Sequence, residues 1–256
     1  MLAIFVIEFT VFSFVGWLWE SVLYTVLSGK LDNRGFLYGP LCPIYGFGAI
    51  IAARVFGGFV GRPVFLFFIC MVSSAILEYL TSFILEKFFG ARWWDYSTIP
   101  FNVHGRICLS CSMAFGFAGV ILLPYGILPI ISFIESLPMN ILVNVAIVLA
   151  GFIGGDVFLS IGNMVDLNRF IDDIEKEAKK RRDAAGKFVD EHGGNYLREE
   201  VLSRVPKLRY KELFFIRNIV GFMSGNRDRI IRLLKISVGF PLDEKADKSS
   251  DDEIKE

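Results

Sequence analysis

The sequence predicts an all-α, polytopic membrane protein with about five transmembrane helices and a cytoplasmic helical tail. Three observations carry this. Apolar runs of roughly twenty residues, the length that crosses about 30 Å of hydrocarbon, recur through the first part of the chain. Charge is segregated: residues 1–161 hold seven of the 27 Lys/Arg and eight of the 27 Asp/Glu, and the remaining 95 residues hold twenty and nineteen. Isolated acids stand inside the apolar runs, Glu20 after Trp17-Leu18-Trp19 and Glu78 past the middle of 63–89. The formal net charge of zero is the sum of two unlike parts and says nothing about partners.

The spans are expected at about 3–27, 42–60, 63–88, 107–124 and 140–162. The first lacks a basic n-region and is long enough to stay in the membrane rather than be cleaved. Gly46, Gly48, Gly57 and Gly58 interrupt the second. The fourth follows Pro100 and Gly105 and precedes Pro124, Pro129 and Pro138, so the short apolar stretch 125–138 is expected to lie in the interface. Residues 1–162 thus form the transmembrane domain. In the amphipathic tail, 163–242, Leu167, Phe170, Ile171, Ile174 and Ala178 recur at helical spacing. A second stretch mixes Phe214, Phe215, Ile219, Phe222, Ile230, Ile231 and Leu234 with Arg217, Arg227, Arg229, Arg232 and Lys235. It predicts a helix pair on anionic lipid, with a soluble packing face as the alternative. Residues 243–256 have almost nothing to bury and are expected to be disordered.

Basic residues in short loops set orientation. Lys30 and Arg34, then Lys87, Arg92 and Arg106, fall on the side of the basic tail, and only Arg54 and Arg62 fall opposite. This places the N-terminus outside and the C-terminus in the cytoplasm of a multi-pass inner-membrane protein.

A carboxylate at membrane depth costs roughly 2.5–3.5 kcal/mol on insertion scales unless it finds a partner or a wet cavity, so an intramembrane acid marks a candidate site. Each acid opens the same pattern. Arg34 follows Glu20 by fourteen residues and Tyr38 follows four later; Arg92 and Tyr96 follow Glu78 identically, 58 residues on. The first two helical hairpins could therefore form a parallel repeat. Gly35, Gly39, Pro40 and Pro43 forbid a continuous helix after the first span, so backbone groups near the membrane must face protein or water. The loop 92–108 gathers Asp95, Asn102, His104 and Arg106 beside a Trp pair suited to headgroup depth. One functional reading collects Glu20, Asn33, Arg34, Tyr38, Glu78, Arg92, Asp95, Asn102, His104 and Arg106 into a cytoplasm-facing, substrate-binding polar site. Its arginines would suit a phosphate or carboxylate. The alternative pairs Glu20 and Glu78 with Arg34 and Arg92 as internal ion pairs. Asp156 is a further buried acid, and Glu8 has no partner that the sequence reveals. Cys108-x-x-Cys111 lacks a second ligand pair, so no metal and no cofactor is expected.

No G-x-x-x-x-G-K-[ST] loop is present, so a P-loop in this chain does not power transport. There is no G-x-S-x-G elbow or H-E-x-x-H helix, and no support for a nucleic-acid partner.

The stretch Asn33-Arg34-Gly35-Phe36-Leu37-Tyr38-Gly39-Pro40, continuing Pro43-Ile44-Tyr45-Gly46-Phe47-Gly48-Ala49, resembles the type IV, CmpB-like ABC-transporter permease family of bacterial membrane proteins. Arg92-Trp93-Trp94-Asp95-Tyr96-Ser97 and Asn102-Val103-His104-Gly105-Arg106-Ile107-Cys108-Leu109 look like the same family. The resemblance covers about residues 4–160 and implies a permease subunit relying on a separate ATPase. Asn102-Val103-His104 departs slightly from the family's usual form. The leading expectation is a transporter component, with membrane lipids, an ATPase subunit and a second copy as conceivable partners. The alternatives are a membrane-embedded enzyme acting on a lipid or isoprenoid phosphate, and a non-catalytic scaffold or regulator.

Overall fold

The computed structural model describes residues 1–28, 35–185, 196–222 and 225–240. It divides into two compact units: Met1–Phe83 with Asp95–Ser160, and Ile84–Trp94 with Ile161–Glu256. Arg34, Asn33 and the expected disordered end, 243–256, lie outside the described residues.

The first unit is helical. Helix α1 (Leu2–Ser28) is followed by α2 (Pro43–Ile51), which runs on through a π-helical turn (Ala52–Phe56) and a 3₁₀ turn (Gly57–Phe59). Helix α3 spans Pro63–Phe89. After two short strands, β2 (Asn102–Val103) and β3 (Ile107–Cys108), which pair antiparallel, comes α4 (Leu109–Leu122). The strand β1 (Ala91–Arg92) belongs to the second unit. Pro124 does not end α4. A π-helical turn (Leu123–Ile127) absorbs the missing N–H, and α5 (Leu128–Glu135) continues the same rod. The stretch 125–138 is therefore not a separate interfacial segment: Leu109–Glu135 is one apolar helix of 27 residues.

Among the described residues four helices are long and apolar enough to cross a membrane: Leu2–Val26, Pro63–Phe89, Leu109–Glu135 and Met139–Arg181. Of the five expected spans, the second, Pro43–Phe59, is the shorter apolar helix. Helix α6 (Met139–Ala185) has 47 residues and continues well past the expected end of the last span.

Small residues let α1 and α2 approach closely. A Cβ on Gly16 would lie 2.2 Å from Cγ of Tyr45, and one on Gly46 would lie 2.3 Å from Ser13 Oγ and 2.8 Å from the Phe9 carbonyl. Between the helices, Phe12, Ala53, Phe56, Leu66, Cys70, Leu123 and Ile131 form one core cluster, and Ile7, Ile134, Leu142 and Ala146 form another.

The second unit has its own core. Met164, Leu167, Ile171 and Ile174 of α6, Val201 of α7 (Tyr196–Arg204), Phe215 and Ile216 of α8 (Tyr210–Asn218), and Ile230, Ile231 and Leu234 of α9 (Gly225–Ser237) are all fully buried. The expectation of a helix pair laid on lipid is thereby corrected. The apolar face that would have met the membrane is covered by protein, and burying it there removes the same area from water. Strand β4 (Gly221–Phe222) pairs with β1, Ala91 opposite Phe222 and Arg92 opposite Gly221. Arg227 reinforces this corner with an ion pair to Asp172 and a position over the Phe222 ring.

Candidate functional site: an intramembrane carboxylate–tyrosine cluster

The broken loop before α2 is held at both ends. Cys42 donates its N–H to the Ser13 carbonyl at 2.9 Å. The consecutive N–H groups of Tyr38 and Gly39 both reach Asp156 of α6, at 3.1 and 3.0 Å, and Ser160 assists at 3.3 Å from Tyr38. The free backbone donors that proline and glycine create near the membrane are thus met by an intramembrane carboxylate, as satisfaction in hydrocarbon requires. Gly39 is constrained by this contact, because a Cβ there would come within 2.7 Å of Asp156 Oδ2.

The loop before α4 is organised by its polar residues. Asp95 accepts the N–H of Ser97 at 2.9 Å. The Asn102 amide donates to the carbonyls of Ser97 and Ile99 and accepts from Gly105 N–H at 3.0 Å. Phe101 and His104 have φ of 57° and 53°, a left-handed turn that Gly105, at 69°, completes. His104 is exposed, with Nδ1 3.1 Å from the Tyr79 hydroxyl. Arg106 donates to that same hydroxyl at 3.3 Å. The Arg106 guanidinium also lies over the Tyr79 and Phe83 rings, 5.2 and 5.5 Å from their centroids. Asp95 and Asn102 therefore shape the loop, and His104 and Arg106 are gathered around Tyr79.

Glu20 and Glu78, from different spans, lie within electrostatic reach of one another. The ring of Tyr45 rests over Gly16, and its hydroxyl donates to Glu20 at 2.8 Å. Gly16 and Glu20 stand one helical turn apart, so the ring and its hydroxyl cover both positions. The Cys42 thiol points at the other Glu20 oxygen, at 4.0 Å. Glu78, 8% exposed, lies within electrostatic reach of Glu20 and accepts a hydrogen bond from Tyr96. Tyr96 also bonds with the thiol of Cys111, which in turn bonds with Cys108. Burial, reinforced by the charge of Glu78, raises the Tyr96 phenol above its ordinary range, so it remains a proton donor at physiological pH.

Residues 7–161 match the family described as "Putative ABC-transporter type IV". The chain belongs to that family. No curated protein and no solved structure matches it. The matched stretch of this type IV ABC-transporter family member contains both loops, the Glu20–Glu78 cluster and Asp156.

Tyr45, Tyr79, Tyr96, Cys42 and Cys111 take part in the family member's site region and were not in the expected set. Tyr45 and Cys42 lie in the quoted loop motif, but their closeness to Glu20 depends on how α2 packs on α1. The ion pair expected between Glu78 and Arg92 is replaced by a different one. Arg92 belongs to the second unit, where its guanidinium forks onto Glu86 at 2.8 and 3.2 Å. Glu86 is on the same helix as Glu78 but two turns later, beside the strand that carries Arg92, so the nearer acid captures the cation. Arg92→Ala should therefore remove the forked ion pair from the buried Glu86, at a cost of up to about 3–5 kcal/mol. A thermal-melt double-mutant cycle should show Glu86→Gln recovering much of that loss and Glu78→Gln adding to it independently. Recovery by Glu78→Gln instead would restore the pairing read from the sequence.

Proposed function

We propose that this chain is the membrane-spanning component of a transporter that works with a separate ATP-hydrolysing subunit, and that its solute passes the Glu20–Tyr45–Glu78–Tyr96 cluster. The observation that carries the reading is the buried Glu78, with Glu20 of another span within its electrostatic reach, inside an apolar helical unit. A fold that needed only stability would gain as much from well-packed apolar residues, since desolvating carboxylates is costly. Ionisable side chains inside membrane spans commonly mark solute or ion pathways. Membership of the type IV ABC-transporter family supports the partner, and a sequence without a P-loop is consistent with a separate subunit as the energy source. The basic loops support an outside N-terminus and a cytoplasmic C-terminus, with both motif loops on the cytoplasmic side.

The enzyme alternative needs guanidinium groups aimed at a phosphate. Among the described residues Arg92 is engaged with Glu86, and Arg106 with Tyr79 and its neighbouring rings, which favours transport; Arg34 lies outside them. The test is purification of the full chain from its native membranes in mild detergent with lipid retained. A stoichiometric ATP-hydrolysing subunit should comigrate through size exclusion and carry ATPase activity. A chain that purifies alone under every mild condition would sink the proposal.

A further inference from the structure

The ligand class of this site can be read from its chemistry, and the inference rests on the cluster being a solute site. We infer that the cluster takes an organic cation, an ammonium group seated on Glu78 among aromatic rings, rather than the anion that the arginine-rich motif suggested.

Glu78 is more than nine-tenths buried, and only one of its oxygens is met by Tyr96. Among the described residues its Oε2 has no hydrogen-bond partner. A buried carboxylate oxygen of this kind calls for a donor, preferably a charged one. The groups around it offer hydroxyls, thiols and a second carboxylate. Of the guanidinium groups expected to bind an anion, Arg34 lies outside the described residues, Arg92 is held by Glu86, and Arg106 donates to Tyr79 and lies over the Tyr79 and Phe83 rings.

The cation is organic rather than a metal ion. Among the described residues no three His, Cys, Asp or Glu side chains are grouped to hold a metal, whereas zinc takes about four ligands and calcium six or more. An ammonium group needs less: one carboxylate for its charge and ring faces for its alkyl surface. Rings lie nearby, Tyr45 within electrostatic reach of Glu78. Tyr45 stands 6.3 Å from Phe115, tilted by 51°, and Tyr96 bonds to Glu78 itself. Phe115 lies one helical turn after Cys111 on α4, so the thiol and the ring share a face.

Cys111 is a built-in reporter, half-buried and joined to Glu78 through Tyr96. The full chain in lipid nanodiscs would be treated with trimethylammonioethyl or sulfonatoethyl methanethiosulfonate. Modification at Cys111 would be followed by peptide mass spectrometry and each rate divided by that with a free thiol. The cationic reagent should be favoured about tenfold, the scale of local enrichment one nearby charge produces. Glu78→Gln should bring the ratio close to one. In the wild-type chain, which needs no variant to fold, benzyltrimethylammonium should slow the reaction and benzenesulfonate should not. Equal corrected rates, or protection by benzenesulfonate, would overturn the cation assignment and leave the solute site standing. No reaction of Cys111 with either reagent would show that water-borne solutes do not reach the cluster, and would overturn the site as well.

Discussion

Arg54→Ala is expected to cause one of the largest losses of stability of any single substitution in the membrane-spanning part of this chain. Arg54 lies in the π-helical turn after α2, and its guanidinium bonds Glu8 at 2.5 Å and Glu135 at 2.8 Å. Glu8 is 1% exposed, so removing Arg54 strands a carboxylate in the helix interior. Breaking such a pair costs about 3–5 kcal/mol; the half-exposed guanidinium places this case toward the lower end. For a chain of this size that corresponds to a fall on the order of 10 °C in melting temperature, measurable by intrinsic fluorescence in detergent. Glu8→Gln in the Arg54→Ala background should recover much of the loss, because the stranded group would then be neutral. Glu135→Gln should recover little, because Glu135 is exposed enough to be solvated without its partner. Additive effects of the Arg54 and Glu8 changes would show that the two do not interact.

This triad shows why the sequence revealed Glu8 only as an acid without a partner. The pairing spans 46 residues and depends on where a π-helical turn directs Arg54, and an ideal helical period does not encode that turn. The same physics limited the reading of the fourth span. Pro124 and Pro129 look like helix breakers, but a widened π-helical turn over Leu123–Ile127 lets the helix run on past both. What was legible followed from solvation. Helices long enough to cross hydrocarbon stand out by apolar length, and Glu20 and Glu78 by the cost of placing charge there. Which side chains answer those acids was not legible. Tyr45 reaches Glu20 through the close approach that Gly16 permits, a contact between helices rather than along one. In the tail the apolar residues were identified correctly as a buried face. Their composition does not distinguish lipid from protein as the cover, and α6, α7, α8 and α9 supply protein.

Asp156→Ala should be comparably damaging by a different route. Asp156 accepts the N–H groups of Tyr38 and Gly39 together, so a single carboxylate fixes the entry to α2 against α6. Two successive N–H groups form a small concave donor site, and a carboxylate is the side chain that can meet both at once. Hydrogen bonds to a charged group contribute about 1.5–3 kcal/mol each, and local rearrangement should recover part, so a loss of about 2–4 kcal/mol is expected. Asp156→Asn keeps one carbonyl oxygen and should retain about half of the effect. Global melting would register the loss but not its origin. Hydrogen exchange separates the two: the amides of Tyr38 and Gly39 should lose protection in Asp156→Ala far more than amides in the middle of α3. Because the loop continues through Cys42 and Tyr45 toward Glu20, its release should also speed thiol modification at Cys42. Unchanged exchange at Tyr38 and Gly39 in the alanine variant would mean that other groups hold the loop, and that Asp156 does not anchor it.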